Sequence, residues 1–319
     1  MRREKIDASV TRRTWFQTGA FVTVVFLVLI AGCVSPPASR NGQKRPYTQA
    51  PEEWNHPVKP FRIIGNVYYV GSAGISSYLI ESSAGLMLLN SGTAETASQV
   101  LANIKQLGFD PHQVKILVGL HGHYDHIGGM AVIKKATGAK LFMSAADREL
   151  VESGGRNDLQ CGDACSWQPV KVNRELHDGD KIRLGGAELV VHATPGHTRG
   201  TITCTMDIRQ EDREYHVVFA GSVSCPDYTL VGNPRYPVIA EDFERTFKTM
   251  KSLPCDIFLT EHGWDCALTD KIKLLERGQN TNPFIDPAGY GQYLERAEAR
   301  YHDLFMKQSG LSGKHASSN

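Results

Sequence analysis

The spacing of apolar residues along the chain switches repeatedly between two periods from about residue 63 onward. Short apolar runs bounded by glycine or serine, such as Leu86–Leu89, are typical of strands. Longer stretches with an apolar residue every three or four positions, such as Ala94–Leu107, are typical of helices. The pattern predicts strands at 66–70, 77–80, 86–89, 114–120, 140–143, 181–184, 188–193, 201–206, 215–220 and 256–260, and helices at 94–107, 130–137, 145–152, 241–252, 268–277 and 288–306.

These elements fall into two similar halves, each rich in strands and followed by helices. Sheets with one apolar face bury it against another layer. The pattern therefore predicts an α/β fold over residues 61–310, with two sheets face to face and helices outside, a four-layer αβ/βα sandwich. Residues 311–319 are expected to form a disordered tail.

The first 33 residues are predicted to be a lipoprotein-type signal peptide. A basic segment precedes the apolar stretch Gly19–Ile30, as in secretory signals. The following Ala-Gly-Cys33 resembles a bacterial lipobox, in which the Cys33 thiol takes a diacylglycerol. An uncleaved anchor helix over Trp15–Gly32 is the alternative. Residues 34–60, rich in Pro, Ser and Gly, are predicted to be a tether and N-terminal arm.

Either interpretation of this segment places the domain outside the cytoplasm and ties it to a membrane. We expect a periplasmic, membrane-anchored lipoprotein, and Val34 after the cysteine favours the outer membrane by resemblance to lipoprotein sorting. The Arg12-Arg13 pair resembles a twin-arginine signal, so export by either the general or the twin-arginine route stays open.

Composition and charge narrow the choice of partners. Hydrophobic residues make up 41% and charged residues 22% of the 319 residues, which is ordinary for a globular protein. The formal net charge is +1. Nothing in this balance favours a nucleic-acid partner. We also expect a small-molecule substrate and a monomer.

Six cysteines follow Cys33, and export would place them where disulfides persist. Cys161 and Cys165 are close enough in sequence to bridge, as are Cys255 and Cys266, and the sequence leaves the pairing open. No Cys-x-x-Cys pair is present, so we do not expect cysteine to bind zinc.

The strongest chemical motif follows the strand that ends at Leu120. If the strand geometry continues, His121 and His123 point to the same side and can bind one metal ion. Asp125 and His126 follow in the turn and can face a second metal ion. Imidazole and carboxylate ligands together suit zinc.

Two isolated histidines occupy matching positions later in the chain. His197 follows the strand predicted at 188–193, and His262 follows the strand predicted at 256–260. Because α/β proteins build sites from loops at strand ends, we expect these histidines to join the motif. The alternative is a polar loop with chance histidines.

These residues resemble the metallo-β-lactamase superfamily, and more closely the class B β-lactamases of subclass three. The resemblance extends from about residue 54 to 306 and includes the segments Val70–Ile80, Ala193–Thr198 and Ala220–Pro237. It implies two Zn2+ ions. The first would be held by His121, His123 and His197, and the second by Asp125, His126 and His262.

The resemblance also implies roles for residues outside the two ligand sets. Ser222 stands where lactonase-type relatives place a metal-bridging Asp, and Ser222 and Ser224 match positions that bind the substrate carboxylate. Asp125 would hold the second zinc and orient the nucleophile, as a catalytic residue. Asn90 departs from the family, because relatives often carry Asp there, and Trp264 after His262-Gly263 is unusual.

The expected function is a zinc-dependent β-lactamase that hydrolyses penicillins, cephalosporins and carbapenems and confers antibiotic resistance. A lactonase or thioesterase of the same fold is the first alternative, and a non-catalytic zinc-binding lipoprotein is the second. No covalent acyl-enzyme is expected, since no Ser-x-x-Lys motif is present.

Overall fold

The computed structural model describes residues 47–278 and 281–310. The predicted signal peptide with Cys33, the tether up to residue 46 and the predicted tail at 311–319 lie outside the described residues. Among the residues that are described, no helix is long and apolar enough to cross a membrane.

Within the described residues, the first sheet contains seven strands in sequence order, all from the first half of the chain. Strands β1 to β4 pair antiparallel, and β4 to β7 pair parallel. The strands are β1 (Phe61–Ile64), β2 (Val67–Tyr69), β3 (Tyr78–Ser82), β4 (Gly85–Leu89), β5 (Val114–Val118), β6 (Lys140–Ser144) and β7 (Arg174–Leu176).

The second sheet contains five strands of the described chain in the order β12-β11-β10-β9-β8. They are β8 (Lys181–Leu184), β9 (Ala187–Ala193), β10 (Ile202–Gln210), β11 (Arg213–Ala220) and β12 (Ile257–Thr260). Strands β8 to β11 pair antiparallel, and β11 pairs parallel with β12. Consequently β9, β11 and β12 run in the same direction, and their carboxyl ends lie at one edge of the sheet.

Helices cover the outer faces of both sheets. They are α1 (Ala97–Gln106), α2 (Tyr124–Ile127), α3 (Met130–Thr137), α4 (Arg148–Ser153), α5 (Ile239–Ser252), α6 (Leu268–Glu276) and α7 (Pro287–Gln308). One apolar core joins the first sheet to α1 and α3. The other lies between the two sheets and continues to α5 and α7. This arrangement confirms the predicted αβ/βα sandwich.

The sequence pattern accounts for the main elements of these layers. Leu86 to Leu89 in β4 are all buried, as expected for a strand with parallel pairing and covered faces. In α5, the residues Ile239, Phe243, Phe247 and Met250 recur at helical spacing and are all buried on one side.

Three local predictions differ from the structure. The short strands β1 and β7 were not predicted, because charged residues interrupt them: Arg62 in β1, and Arg174 and Glu175 in β7. The helix predicted at 145–152 begins as a 3-10 turn over Ala145–Asp147 before α4. The strand predicted to reach Leu120 ends at Val118, so His121 and His123 lie in a loop and not in alternating strand positions.

The structure contains one of the two cysteine pairs that are close enough in sequence to bridge. Cys161 and Cys165 form a disulfide. Cys255 and Cys266 are both free, so that suggested pair is wrong. The physical reason is that Cys255 precedes β12 and Cys266 follows it, and an extended strand separates its ends by about 3.3 Å per residue.

Candidate metal centre

The six residues predicted as metal ligands come together at the seam between the two sheets. Ligand atoms of His121, His123 and His197 lie within 4.8 Å of one another, and so do those of Asp125, His126 and His262. The loops that carry them follow β5, β9 and β12. All six side chains are buried or half-buried.

The loop after β5 delivers four of these side chains because its backbone turns sharply. His123 precedes the single helical turn α2, which places Asp125 and His126 beside each other. Gly128 ends this turn, and a Cβ added there would lie 2.3 Å from the Tyr124 carbonyl oxygen. Only glycine therefore fits at this position.

Neighbouring acceptors fix which ring nitrogen of each first-group histidine is free. The Nδ1 of His121 lies 2.8 Å from the Glu261 carboxylate, which can only accept, so Nδ1 carries the proton and Nε2 is free. The Nδ1 of His197 donates to the Ser224 carbonyl oxygen at 2.7 Å, which frees its Nε2. The Nε2 of His123 lies 3.3 Å from Asp158, which frees its Nδ1.

The ring nitrogens of this first group converge on one point. His121 Nε2 and His123 Nδ1 are 3.1 Å apart, so both nitrogens are directed at the same place. Burial holds the pKa of His121 and His197 well below its usual range, so both rings are neutral at neutral pH. Three converging imidazole nitrogens are a donor set that suits zinc or a similar divalent metal ion.

The second group combines a carboxylate with two imidazoles. Asp125 Oδ2 lies 3.1 Å from His126 Nε2 and 3.7 Å from His262 Nε2. Burial raises the pKa of Asp125, but the charge and hydrogen bond of His126 outweigh burial and hold that pKa well below its usual range. An ionised carboxylate with two imidazoles is also a donor set for a divalent metal ion.

Glu261 lies between the two groups and was not predicted from the sequence. It is 2% exposed, and its carboxylate accepts hydrogen bonds from His121 Nδ1, the Ser222 backbone amide and Asn90 Nδ2. Asn90 in turn accepts from the Leu120 amide through Oδ1 at 3.0 Å. The sequence signal that could have identified Glu261 is its position: it is an acidic residue directly before His262, at the end of a buried strand.

Comparisons with known proteins agree with this geometry. A family model described as the metallo-β-lactamase superfamily matches residues 70–262, which is more than half of the chain.

The chain belongs to the metallo-β-lactamase superfamily.

The solved structures of this superfamily that resemble the chain include subclass B3 β-lactamases. The native FEZ-1 metallo-β-lactamase from Legionella gormanii is 40% identical, with a TM-score of 0.78 over 80% of this chain and 98% of that one. The subclass B3 metallo-β-lactamase BJP-1 of Bradyrhizobium japonicum is 32% identical, with a TM-score of 0.75 over 81% of this chain and 98% of that one.

Curated relatives within the superfamily match over shorter segments. The hydroxyacylglutathione hydrolase of Rhodospirillum rubrum is 32% identical over 106 residues, which is 33% of this chain and 33% of that protein. The first curated relatives are matched over 47% of their own length. The superfamily and its fold are therefore established, and the site contains a donor set for a divalent metal ion.

The two predicted substrate-binding serines lie beside the first group of histidines. Ser222 follows β11, and its hydroxyl lies 3.1 Å from that of Ser224. Ser222 is 7% exposed, whereas Ser224 is open to solvent. Because Ser224 also accepts the His197 Nδ1 proton through its carbonyl oxygen, the turn that carries both hydroxyls is attached to a predicted metal ligand.

The sequence analysis did not identify three further residues that lie near the predicted ligands in space. Asp147 is buried and accepts from the Gly122 and Gly200 amides, which ties the loop after β5 to the turn after β9. Asp158 faces His123, and Tyr228 donates its hydroxyl proton to the His197 carbonyl oxygen at 2.7 Å. Asp158 and Tyr228 lie in irregular backbone, and Asp147 ends a short 3-10 turn, so apolar periodicity did not identify any of them.

Two tryptophans flank His262. The Trp264 ring stacks on the His262 ring with centroids 4.2 Å apart and planes at 15°, and the Trp54 ring meets His262 edge-on at 5.6 Å. Trp54 comes from the predicted N-terminal arm, where a 3-10 turn over Glu52–Asn55 is fixed by a bond from the Ser72 hydroxyl to the Trp54 carbonyl. The end of the arm is thus part of the site.

Proposed function

We propose that the chain is a zinc-dependent β-lactamase that opens the β-lactam ring of penicillins, cephalosporins and carbapenems, and that it confers resistance to these antibiotics. The observation that carries the proposal is the pair of hydroxyls at Ser222 and Ser224 beside the first histidine group. The similarity to solved β-lactamases along nearly their whole length supports it.

The two hydroxyls suit an anionic substrate. Serine hydroxyls donate hydrogen bonds, so Ser222 and Ser224 can hold the carboxylate that penicillins and carbapenems carry next to the lactam nitrogen. The solvent-open position of Ser224 gives such a carboxylate access. Tyr228 stabilises this side of the site, since its hydroxyl holds the His197 backbone and its ring stacks on the His197 ring with centroids 5.8 Å apart.

The donor groups would hold two zinc ions, the first at His121, His123 and His197 and the second at Asp125, His126 and His262. When bound, zinc supplies a water molecule of lowered pKa and polarises the carbonyl under attack. Asp125, ionised and buried, is placed to accept a hydrogen bond from the nucleophilic water and so orient it. Glu261 and Asp158 keep His121 and His123 in the protonation forms that leave the ligand nitrogens free.

The direct test is hydrolysis of a carbapenem by the purified protein, with and without a chelator. We expect ring opening that a chelator abolishes and zinc restores. The variant Ser222→Ala with Ser224→Ala should raise KM more than it lowers kcat, because the hydroxyls bind the unreacted carboxylate. A protein that binds two zinc ions and hydrolyses no β-lactam would refute the proposal.

Thioester hydrolysis is the second candidate, and the partial match to a hydroxyacylglutathione hydrolase favours it. Against it stands Ser222, which replaces a carboxylate that lactonase-type relatives use to bridge the metals. The two candidates separate when β-lactams and hydroxyacylglutathione thioesters are compared at equal concentration. Faster turnover of the thioester would make this candidate the better one, and zinc binding without any turnover would leave a zinc-binding lipoprotein.

We also propose that the protein is exported and anchored to a membrane through Cys33, with the outer membrane favoured. The lipobox-like Ala-Gly-Cys33 after an apolar stretch supports this proposal. The variant Cys33→Ser should move the protein from the membrane fraction to the soluble fraction. Unchanged fractionation would instead support an uncleaved anchor helix.

A further inference from the structure

We infer that Glu261 is a positioning residue that couples the two metal groups to each other and to the substrate-binding turn. The inference rests on the two metal groups of the proposed function. The side chain is buried at the end of β12, where it reaches residues from both sheets.

The two oxygens of the Glu261 carboxylate face different parts of the site. Oε2 accepts from His121 Nδ1 at 2.8 Å and from the Ser222 amide at 2.7 Å. Oε1 accepts from Asn90 Nδ2 at 2.9 Å and lies 4.0 Å from Nδ1 of His126. One side chain therefore contacts a ligand of the first group, faces a ligand of the second, and fixes the backbone of a substrate-binding residue.

The surrounding donors require an acceptor-only group at this position. Three N–H groups, from His121, Ser222 and Asn90, converge on the carboxylate. A glutamine at 261 could satisfy His121 and Ser222 through its oxygen, but its amide nitrogen would then face the amide nitrogen of Asn90. Two donors that face each other cannot form a hydrogen bond, so both amide groups would be buried without a partner.

The same pattern accounts for the departure from the family at Asn90. Its Nδ2 donates to Glu261 and its Oδ1 accepts from the Leu120 amide, so an amide satisfies both neighbours. A carboxylate at 90 would place two acceptors face to face. The acid at 261 and the amide at 90 are therefore complementary. The carboxylate that faces the two metal groups is Glu261, which directly follows β12.

A carboxylate behind a metal-bound imidazole strengthens metal binding. It fixes the ring orientation and makes the ligand nitrogen more basic, and loss of such a partner typically costs about 10- to 100-fold in metal affinity. Since Glu261 contacts one group and faces the other, both metals should respond to its loss. By contrast, His123 is the one predicted ligand that Asp158 is shown to approach, so its loss should affect only the first metal.

The test is a zinc titration of the full-length protein against a competing chelator, with no substrate present. In Glu261→Gln we expect the first zinc to bind about 10- to 100-fold more weakly and the second to be weakened as well. Asp242→Asn is the matched control. Asp242 is also buried and accepts from the Tyr236 hydroxyl and from Arg245, but it lies on α5 outside the metal groups.

A second variant separates positioning from misfolding. In Asn90→Asp combined with Glu261→Gln, the acid and the amide exchange places, and the donor–donor conflict is removed. Position 90 has φ of 57°, which Asp tolerates as Asn does. We expect the double variant to recover the part of the zinc affinity that the donor–donor conflict removes in Glu261→Gln.

Four results are decisive. Unchanged zinc affinity in Glu261→Gln, or a loss confined to one metal, would overturn the inference. A loss that Asn90→Asp does not reverse even in part would also overturn it, because the hydrogen-bond pattern would not be the cause. Wild-type protein that binds fewer than two zinc ions would instead refute the metal pair of the proposed function.

Discussion

Removing the Trp264 ring should weaken the second metal site selectively. The ring stacks on the His262 ring at 4.2 Å and 15°, and 52% of the Trp264 side chain is nevertheless exposed, so Trp264→Leu creates no buried cavity. A stacked aromatic pair contributes about 0.5–1.5 kcal/mol beyond area burial, which corresponds to about two- to twelvefold in affinity. We therefore expect a loss of that size for the metal held by Asp125, His126 and His262.

Zinc affinity is measured by competition with a chelator. Tryptophan fluorescence is followed in a titration of the same design with Co2+, which quenches the fluorescence, in place of zinc. Wild-type fluorescence should fall when the second metal binds, and the part of that change that comes from Trp264 should be absent in Trp264→Leu, while Trp54 is still quenched. Val238→Ala is the control, since Val238 is an apolar side chain with similar exposure, 51%, on another surface. Equal loss at both metals, or no loss at the second, would show that the stack does not hold His262.

Three further outcomes follow from the structure. His262→Ala should keep the first metal and lose the second, and two tightly bound zinc ions in that variant would contradict the ligand assignment. Zinc at 100 times its Kd should stabilise the fold by about 2.7 kcal/mol per site, so that a chelator lowers the unfolding midpoint in calorimetry, and an unchanged midpoint would refute folded-state metal binding. Gly128→Ala should destabilise the protein in urea unfolding by more than about 1 kcal/mol, since its Cβ would meet the Tyr124 carbonyl at 2.3 Å, whereas Gly291→Ala, with open space around it and a helical backbone, should lack this clash.

The strands, the helices and the histidine motif could be predicted because each depends on local order in the sequence. Leu86–Leu89 is a continuous apolar run, and four of the predicted ligands lie within six residues after one strand. His197 and His262 could be added because both follow strands whose carboxyl ends share an edge.

Glu261 escaped prediction for a physical reason. Alternation along a strand would point residues 261 and 262 to opposite faces. However, β12 ends at Thr260, and the chain bends so that Glu261 and His262 both face the site. Asp158 escaped for another reason, since its approach to His123 depends on the packing of an irregular loop closed by the Cys161–Cys165 disulfide.

Because the predicted ligands are divided between the two sheets, bound metal ions would link two parts of the chain. A cut in the exposed turn at 177–180, between β7 and β8, would give one fragment with the first sheet and another with the second. Neither fragment would hold a complete group, since His197 and His262 lie in the second fragment and the other four ligands lie in the first. Recombination of the fragments should therefore depend on zinc, and the protein could serve as a split reporter whose signal requires both halves and the metal.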